Sequence, residues 1–376
     1  MRNQELINEN QASSIHEMKF NDLNLITMKT LLTIFLSLVI LTTGMSQTTR
    51  RVNNNVGISG TNVYATFALA HAAAVANDII IIEPTTTTYG DITVTKPLKI
   101  YGNGYFLSTN TDLKADQRNS ILGIVEFNTG SDGSEIYGIF GSSINIYGVS
   151  NITISRNYLT QYAITISTAN KANTIFTNVS NISITRNYGT GASYFGSSPT
   201  TGKTISNVLI TNNILNYLSA GNDPGVQNWV VRNNTFYGGS SQNLVNSIFE
   251  NNLLVNGGTL NFANVTSSYN VSTGASFPSE VNGNKNNYPL SPLNQSGQPE
   301  SELLVTGSPD KAFQIKAGSS LKALGSSSSE VGAYGGSSPY IVSGIPAIPS
   351  ITTMVNTGTG DATTPVKVTI SVKSNN

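Results

Sequence analysis

Asn181-Ile182-Ser183-Ile184-Thr185-Arg186-Asn187 decides the fold. Two asparagines stand six residues apart, and between them apolar and small polar residues alternate with a period of two. That is the mark of a β-strand with one buried face. The template recurs at 151–157, 207–213, 228–234, 246–252 and 264–270, with successive starts 30, 26, 21, 18 and 18 residues apart. Constant strands joined by shortening loops describe the coils of a solenoid. Ile152 and Ile154, Ile182 and Ile184, Val208 and Ile210, and Trp229 and Val231 are predicted to point inward. Ser155, Thr185 and Thr211 are predicted to point out. The second asparagine of each unit (Asn157, Asn187, Asn213, Asn234, Asn252, Asn270) falls at the turn after the strand. Stacked coils place these amides in one interior ladder at roughly the 4.8 Å strand spacing, each bonding the next and the turn backbone. Asn234→Ala is therefore expected to cost about 1–3 kcal/mol. Leu159, Leu215, Phe236 and Leu254 then return to the core.

Composition supports this and excludes much else. Asparagine and glycine, 46 and 34 of 376 residues, are turn formers and do not suit a helical enzyme. With no cysteine there is no disulfide framework, thiolate metal site or cysteine nucleophile. His16 and His71 are the only histidines, too few for a His-rich metal site or a Ser-His-Asp triad. Twenty basic residues balance twenty acidic ones, which argues against a nucleic-acid partner.

Residues 1–27 read as an extension upstream of the true start at Met28, and residues 28–46 as a signal peptide. Lys29 is followed by an apolar stretch over 31–41 and by small residues through Ser46. That stretch is too short for a membrane span, which takes about 20 residues. The mature protein is thus expected to be secreted, extracellular or on the cell surface, with no membrane span. Residues 47–77 are read as a lead-in and a helix over 64–76, with Phe67, Ala70 and Ala74 on one face. Residues 78–345 are the solenoid and an irregular closing segment. Residues 346–376 form a linker and a strand or hairpin tail with Val366, Val368, Ile370 and Val372 at period two.

The repeats resemble the right-handed parallel β-helix of the pectate lyase-like superfamily. The Ala-rich segment 64–76 is similar to the helix that caps the first coil of such folds. Residues 91–106 are similar to a first coil, and 313–319 with 330–337 to the closing segment of secreted bacterial β-helix proteins. The resemblance implies an all-β fold and leaves the reaction open.

It also says which chemistry to look for. Lyases of this fold use a calcium-binding acidic cluster and an arginine base. Between 136 and 279 the only acids are Asp223 and Glu250, so calcium enters only under a lyase reading and no other cofactor or metal is implied. Polygalacturonase-type hydrolases carry an Asn-Thr-Asp, a paired Asp-Asp and a Gly-His-Gly. Here Asn110-Thr111-Asp112 is present, without the pair or a histidine after His71. Asp112, Asp116, Glu126, Asp132 and Glu135 are the candidates for a carboxylate pair; the plainer expectation is solvated loop carboxylates. Arg156 and Arg186 share a register, as do Arg232 and Glu250 one position earlier, and such a column suits an acidic sugar. The plainer expectation is a solvated face with an Arg232–Glu250 ion pair of small worth.

The favoured function is a secreted, non-catalytic surface or polysaccharide-binding protein. The alternative is a polysaccharide lyase or glycoside hydrolase with an atypical site. One anomaly stands out. At the outward position between the core residues, successive units carry Leu209, Val230 and Ile248. An apolar strip of this kind marks a contact. It is predicted to be covered by the chain's own tail, or else to bind a partner.

Overall fold

The computed structural model describes Thr27, Lys29, Thr30 and residues 47–375, apart from 162–163, 191–193, 222, 240, 275, 278, 290–306, 357, 361–362 and 364. The upstream extension and signal segment thus lie almost wholly outside the described residues. Among the described residues no helix is long and apolar enough to cross a membrane.

The two asparagines of each repeat do different work. The first (Asn151, Asn181, Asn207, Asn228, Asn246, Asn264) has φ between 48° and 60°. So does the residue just before the second: Arg156, Arg186, Asn212, Asn233, Asn251 and Tyr269 lie between 53° and 60°. Asparagine tolerates this left-handed conformation better than other residues with a Cβ. Each short strand is therefore bracketed by two sharp bends. The second asparagine is buried at every repeat: Asn157, Asn187, Asn213, Asn234, Asn252 and Asn270 are all 0% exposed. Their side chains bond in sequence, each Nδ2 donating to the next Oδ1 at 2.9–3.0 Å. The row ends on Asn284, which accepts from Asn270 at 2.9 Å.

Between the bends the strands pair in parallel and in register. Thr153, Ser183, Leu209, Val230, Ile248 and Thr266 are successive partners. Upstream the same column continues through Glu135, Lys99, Ile79 and Thr49. A second run joins Ile92–Val94, Ile124–Phe127, Ser143–Tyr147 and Ile164–Ser167, also parallel. A third sheet stacks seven two-residue strands, among them Tyr158–Leu159, Ile214–Leu215, Thr235–Phe236 and Leu253–Leu254. This is an all-β chain of long parallel sheets, an arrangement consistent with a solenoid. The inward residues named above are buried, as are Leu159, Leu215, Phe236 and Leu254. Trp229 is fully buried, and its indole N–H donates to the Ile205 carbonyl at 3.0 Å.

The helix is shorter than the sequence suggests, Phe67–Ala73, started by Thr66, whose hydroxyl accepts from the Leu69 N–H. It buries Phe67 and Ala70 in the main core. Its last carbonyls are held by Lys96, whose Nζ donates to the His71 and Ala74 oxygens at 2.8 Å.

The outer face of the third sheet is covered by the chain itself. Phe313, Ile315, Leu321, Val331, Ala333 and Tyr340 form a second core with Tyr188, Ile214, Leu253 and Val271. One hub pins this closing segment. Asp310 is fully buried and accepts from the Ser308 hydroxyl, the Lys311 and Ser343 N–H groups and the Tyr340 hydroxyl.

The tail corrects an expectation. Ser350–Asn356 and Val368–Lys373 pair with each other as an antiparallel hairpin. Cross-strand partners Ile351 and Val372, and Met354 and Ile370, share one face. All four are exposed, so the tail does not cover the Leu209–Val230–Ile248 strip with this face. Leu209 and Ile248 themselves remain 40% and 39% exposed.

Candidate functional site: the outer face of the long sheet

Two outward rows run across the first column of strands. One follows Tyr101, Tyr137, Ser155, Thr185, Thr211, Arg232 and Glu250. The other follows Lys99, Glu135, Thr153, Ser183, Leu209, Val230 and Ile248. Six strand steps separate Tyr101 from Glu250, on the order of 30 Å.

Chemistry changes along the rows. At the upstream end the Tyr101 and Tyr137 rings stack, centroids 5.2 Å apart and 10° from parallel. The Tyr137 hydroxyl donates to Glu135 Oε2 at 2.8 Å, and Lys99 Nζ lies 3.7 Å from Glu135 Oε1. Burial, and then the neighbouring Glu135, push the Tyr137 phenol well above its ordinary value, so it stays a proton donor. The middle is a hydroxyl stretch in which Thr185 Oγ1 donates to Ser155 Oγ at 2.9 Å; Ser155, expected to face out, is buried at 3% exposure, so in this row Thr185 and Thr211 are the hydroxyls left on the face. Downstream, Arg232 Nε donates to Glu250 Oε2 at 2.8 Å, beside the apolar strip.

The arginine column does not form as a free sugar grip. Arg156 and Arg186 sit at the left-handed turn position, and the closing segment runs over that turn. Arg156 is 7% exposed and donates to the Ile345 carbonyl at 2.6 Å. Arg186 Nε donates to the Ser338 carbonyl at 3.2 Å. Desolvation lowers both guanidinium pKa values from the usual, and for Arg156 the Arg186 charge adds to it.

Nor do the acidic candidates share a site. Asp112 is exposed. Asp116 is gripped by Arg118 through both oxygens, at 3.1 and 2.7 Å. Glu126, in the second run of strands, pairs with Lys171. Asp132 accepts from the Ser150 N–H at 2.9 Å. Only Glu135 lies on the outer face described here. Asn110 of the Asn-Thr-Asp triplet donates to the Ser308 and Ser343 hydroxyls, holding the closing segment. Among the described residues no group of three or more His, Asp or Glu is placed to hold a metal ion.

Sequence reasoning missed the tyrosine pair, although a signal existed. Ile100-Tyr101-Gly102 and Ile136-Tyr137-Gly138 repeat one triplet, and Gly138, at φ 67°, takes the bend filled by Arg156 in the next coil. No protein-family model matches the chain, and no curated protein matches it.

Proposed function

We propose that this is a secreted, cell-surface or extracellular protein that binds polysaccharide along the outer face of its long sheet, without catalysing its cleavage. The finer fold assignment belongs to the same proposal: a right-handed parallel β-helix of the pectate lyase-like kind, its first coil closed by the helix Phe67–Ala73. The carrying observation is the stacked Tyr101–Tyr137 pair leading into a row of hydroxyls and then an apolar strip. Sugar rings present apolar C–H faces to aromatic and aliphatic groups and hydroxyls to polar ones, so a glycan chain lying across the strands meets both. No observation favours a lyase or hydrolase.

A glycan array followed by titration tests this. Tyr137→Ala is expected to weaken the best glycan about tenfold or more, as loss of a stacking platform does, with the glycan left chemically intact after long incubation. Binding by Tyr137→Ala and Tyr101→Ala as tight as the parent's, or cleavage of the glycan, overturns the proposal. Ile248→Asp probes the strip. Because Ile248 is already partly solvated, it is expected to change folding stability by only about 1 kcal/mol while reducing glycan binding or self-association.

A further inference from the structure

The row of coils ends in an open pocket. The last strand, Leu260–Ser268, pairs on one side with Gln242–Glu250, and among the described residues no strand pairs with its other side. In the preceding coil Leu244 and Phe249 are fully buried. Phe262 and Val265, the partners of Leu244 and Ser247, are only partly covered. A pocket of about 390 Å³ opens over them, with Phe277 and Asn282 on its far wall. That wall is held in place. Phe277 donates its N–H to Asn286 Oδ1 at 2.8 Å, and its carbonyl accepts from Asn286 Nδ2 at 2.7 Å. Asn282, at φ 51°, accepts from the Tyr269 N–H through its own carbonyl at 2.9 Å. The side chains of Thr266, Ser279 and Asn282 line the pocket and form no hydrogen bond among the described residues. Asn284, by contrast, uses both ends of its amide, on Asn270 and Ser267. No charged side chain lines the pocket.

We propose that this pocket holds the terminal ring of a neutral polysaccharide, so that the protein takes glycan chains by one end. The inference rests on the glycan face proposed above and adds its terminus. Thr266 joins the two: it pairs with Ile248 as the next member of the outward row, and it lines the pocket. Six strand steps separate Glu135, beside the stacked tyrosines, from Thr266, on the order of 30 Å. Phe277 and Asn282 then stand beyond the last strand. A volume of 390 Å³ is near the lower bound of small-molecule sites, about 300–1,000 Å³, so the pocket has room for a chain end and not for a length of polymer. Phe262 and Phe277 offer apolar surface to the C–H face of a sugar ring. The Asn282 amide sets a donor beside an acceptor and so matches two neighbouring ring hydroxyls. A charged ring would give up water here without meeting an opposite charge.

Calorimetric titration of the full chain with laminari-, xylo- and manno-oligosaccharides, each in a short and a long fraction, tests this. The best-bound series is expected to take one protein per glycan molecule in both fractions, because each molecule has one fitting end. Binding along the face alone would let the number of proteins rise with glycan length. Asn282→Gly keeps the left-handed backbone at an exposed position and removes the amide. It is expected to weaken binding about tenfold and to make the stoichiometry depend on length. Tyr137→Ala is expected to weaken binding and leave one protein per molecule. Lack of saturable binding to all three series overturns the proposal, as does a parent stoichiometry that rises with length. Tighter binding of polygalacturonate than of the neutral series also overturns it. Loss of affinity in Tyr137→Ala with none in Asn282→Gly overturns the end pocket and keeps the glycan face. Loss in Asn282→Gly with none in Tyr137→Ala overturns the face and the chain-end inference together, leaving a pocket for a free sugar.

Discussion

Asn234→Leu is expected to destabilise the protein by about 2–4 kcal/mol, because it orphans buried groups on both sides at once. Asn234 Oδ1 accepts from the backbone N–H and the Nδ2 of Asn213, at 3.0 and 2.9 Å. Its Nδ2 donates to the Ile210 and Arg232 carbonyls and to Asn252. Leucine fills the same volume and replaces none of these bonds. The Asn213 N–H then faces a buried apolar group, and a buried unsatisfied donor costs about 1–3 kcal/mol. Asn157→Leu, at the upstream end, is expected to cost less: among the described residues Asn157 Oδ1 accepts one hydrogen bond, from the Ile139 N–H at 3.2 Å. Urea unfolding checks both, with the midpoint falling at unchanged slope. An Asn234→Leu midpoint within error of the parent would sink the account of these amides.

Asp310→Ala is the second large effect, again about 2–4 kcal/mol from stranded buried donors. The Ser343 N–H and the Tyr340 hydroxyl each lose their Asp310 Oδ2 contact, at 2.7 and 3.2 Å. Ser343 also sits at φ 62°, a conformation the hub helps to hold. Residues 307–345 should therefore loosen first, and limited proteolysis is expected to cut there faster than in the coils. The pH dependence has a definite sign. Burial pushes the Asp310 carboxyl above its ordinary value in spite of its four donors. A raised folded pKa contributes stability below the unfolded value, near 3.9, and that contribution is lost as pH rises through the folded value. Asp310→Asn is expected to remove this fall from the stability–pH curve above about pH 4. An unchanged curve would show that the Asp310 carboxyl binds its proton alike in the folded and unfolded chain, and would sink this account.

The repeat was legible because one constraint recurs in one-letter form. A left-handed bend admits few side chains and a buried turn needs an amide, so asparagine returns at both places with an alternating strand between. The rows through Tyr101 and Tyr137 were harder to see, since their coils bend at Gly138 and lack the paired asparagines. The covered face was not legible at all. Tyr188, Ile214, Leu253 and Val271 each sit in a two-residue strand, too short to show a period, so their burial under the closing segment left no pattern to read. The tail was misplaced for a related reason. Alternation in Val366, Val368, Ile370 and Val372 shows that one face is apolar, and only the cross-strand register shows that this face turns toward Ile351 and Met354. Arg156 and Arg186 shared a register as expected, but the sequence could not show that residues 338–345 return to cover them.

The buried amides also give the molecule an electrical direction. From Asn157 to Asn270 each side chain donates one N–H to the Oδ1 of the next asparagine, and the same Nδ2 donates its other N–H back to a carbonyl of the previous coil. Aligned amide dipoles add along an axis, as peptide dipoles do in a helix, and hydrogen-bonded groups in a row polarise one another. The negative pole lies at the Asn157 end and the positive pole at Asn284, where Nδ2 turns aside to the Ser267 carbonyl at 3.0 Å. Anions are thus favoured near the last coil and cations near the first.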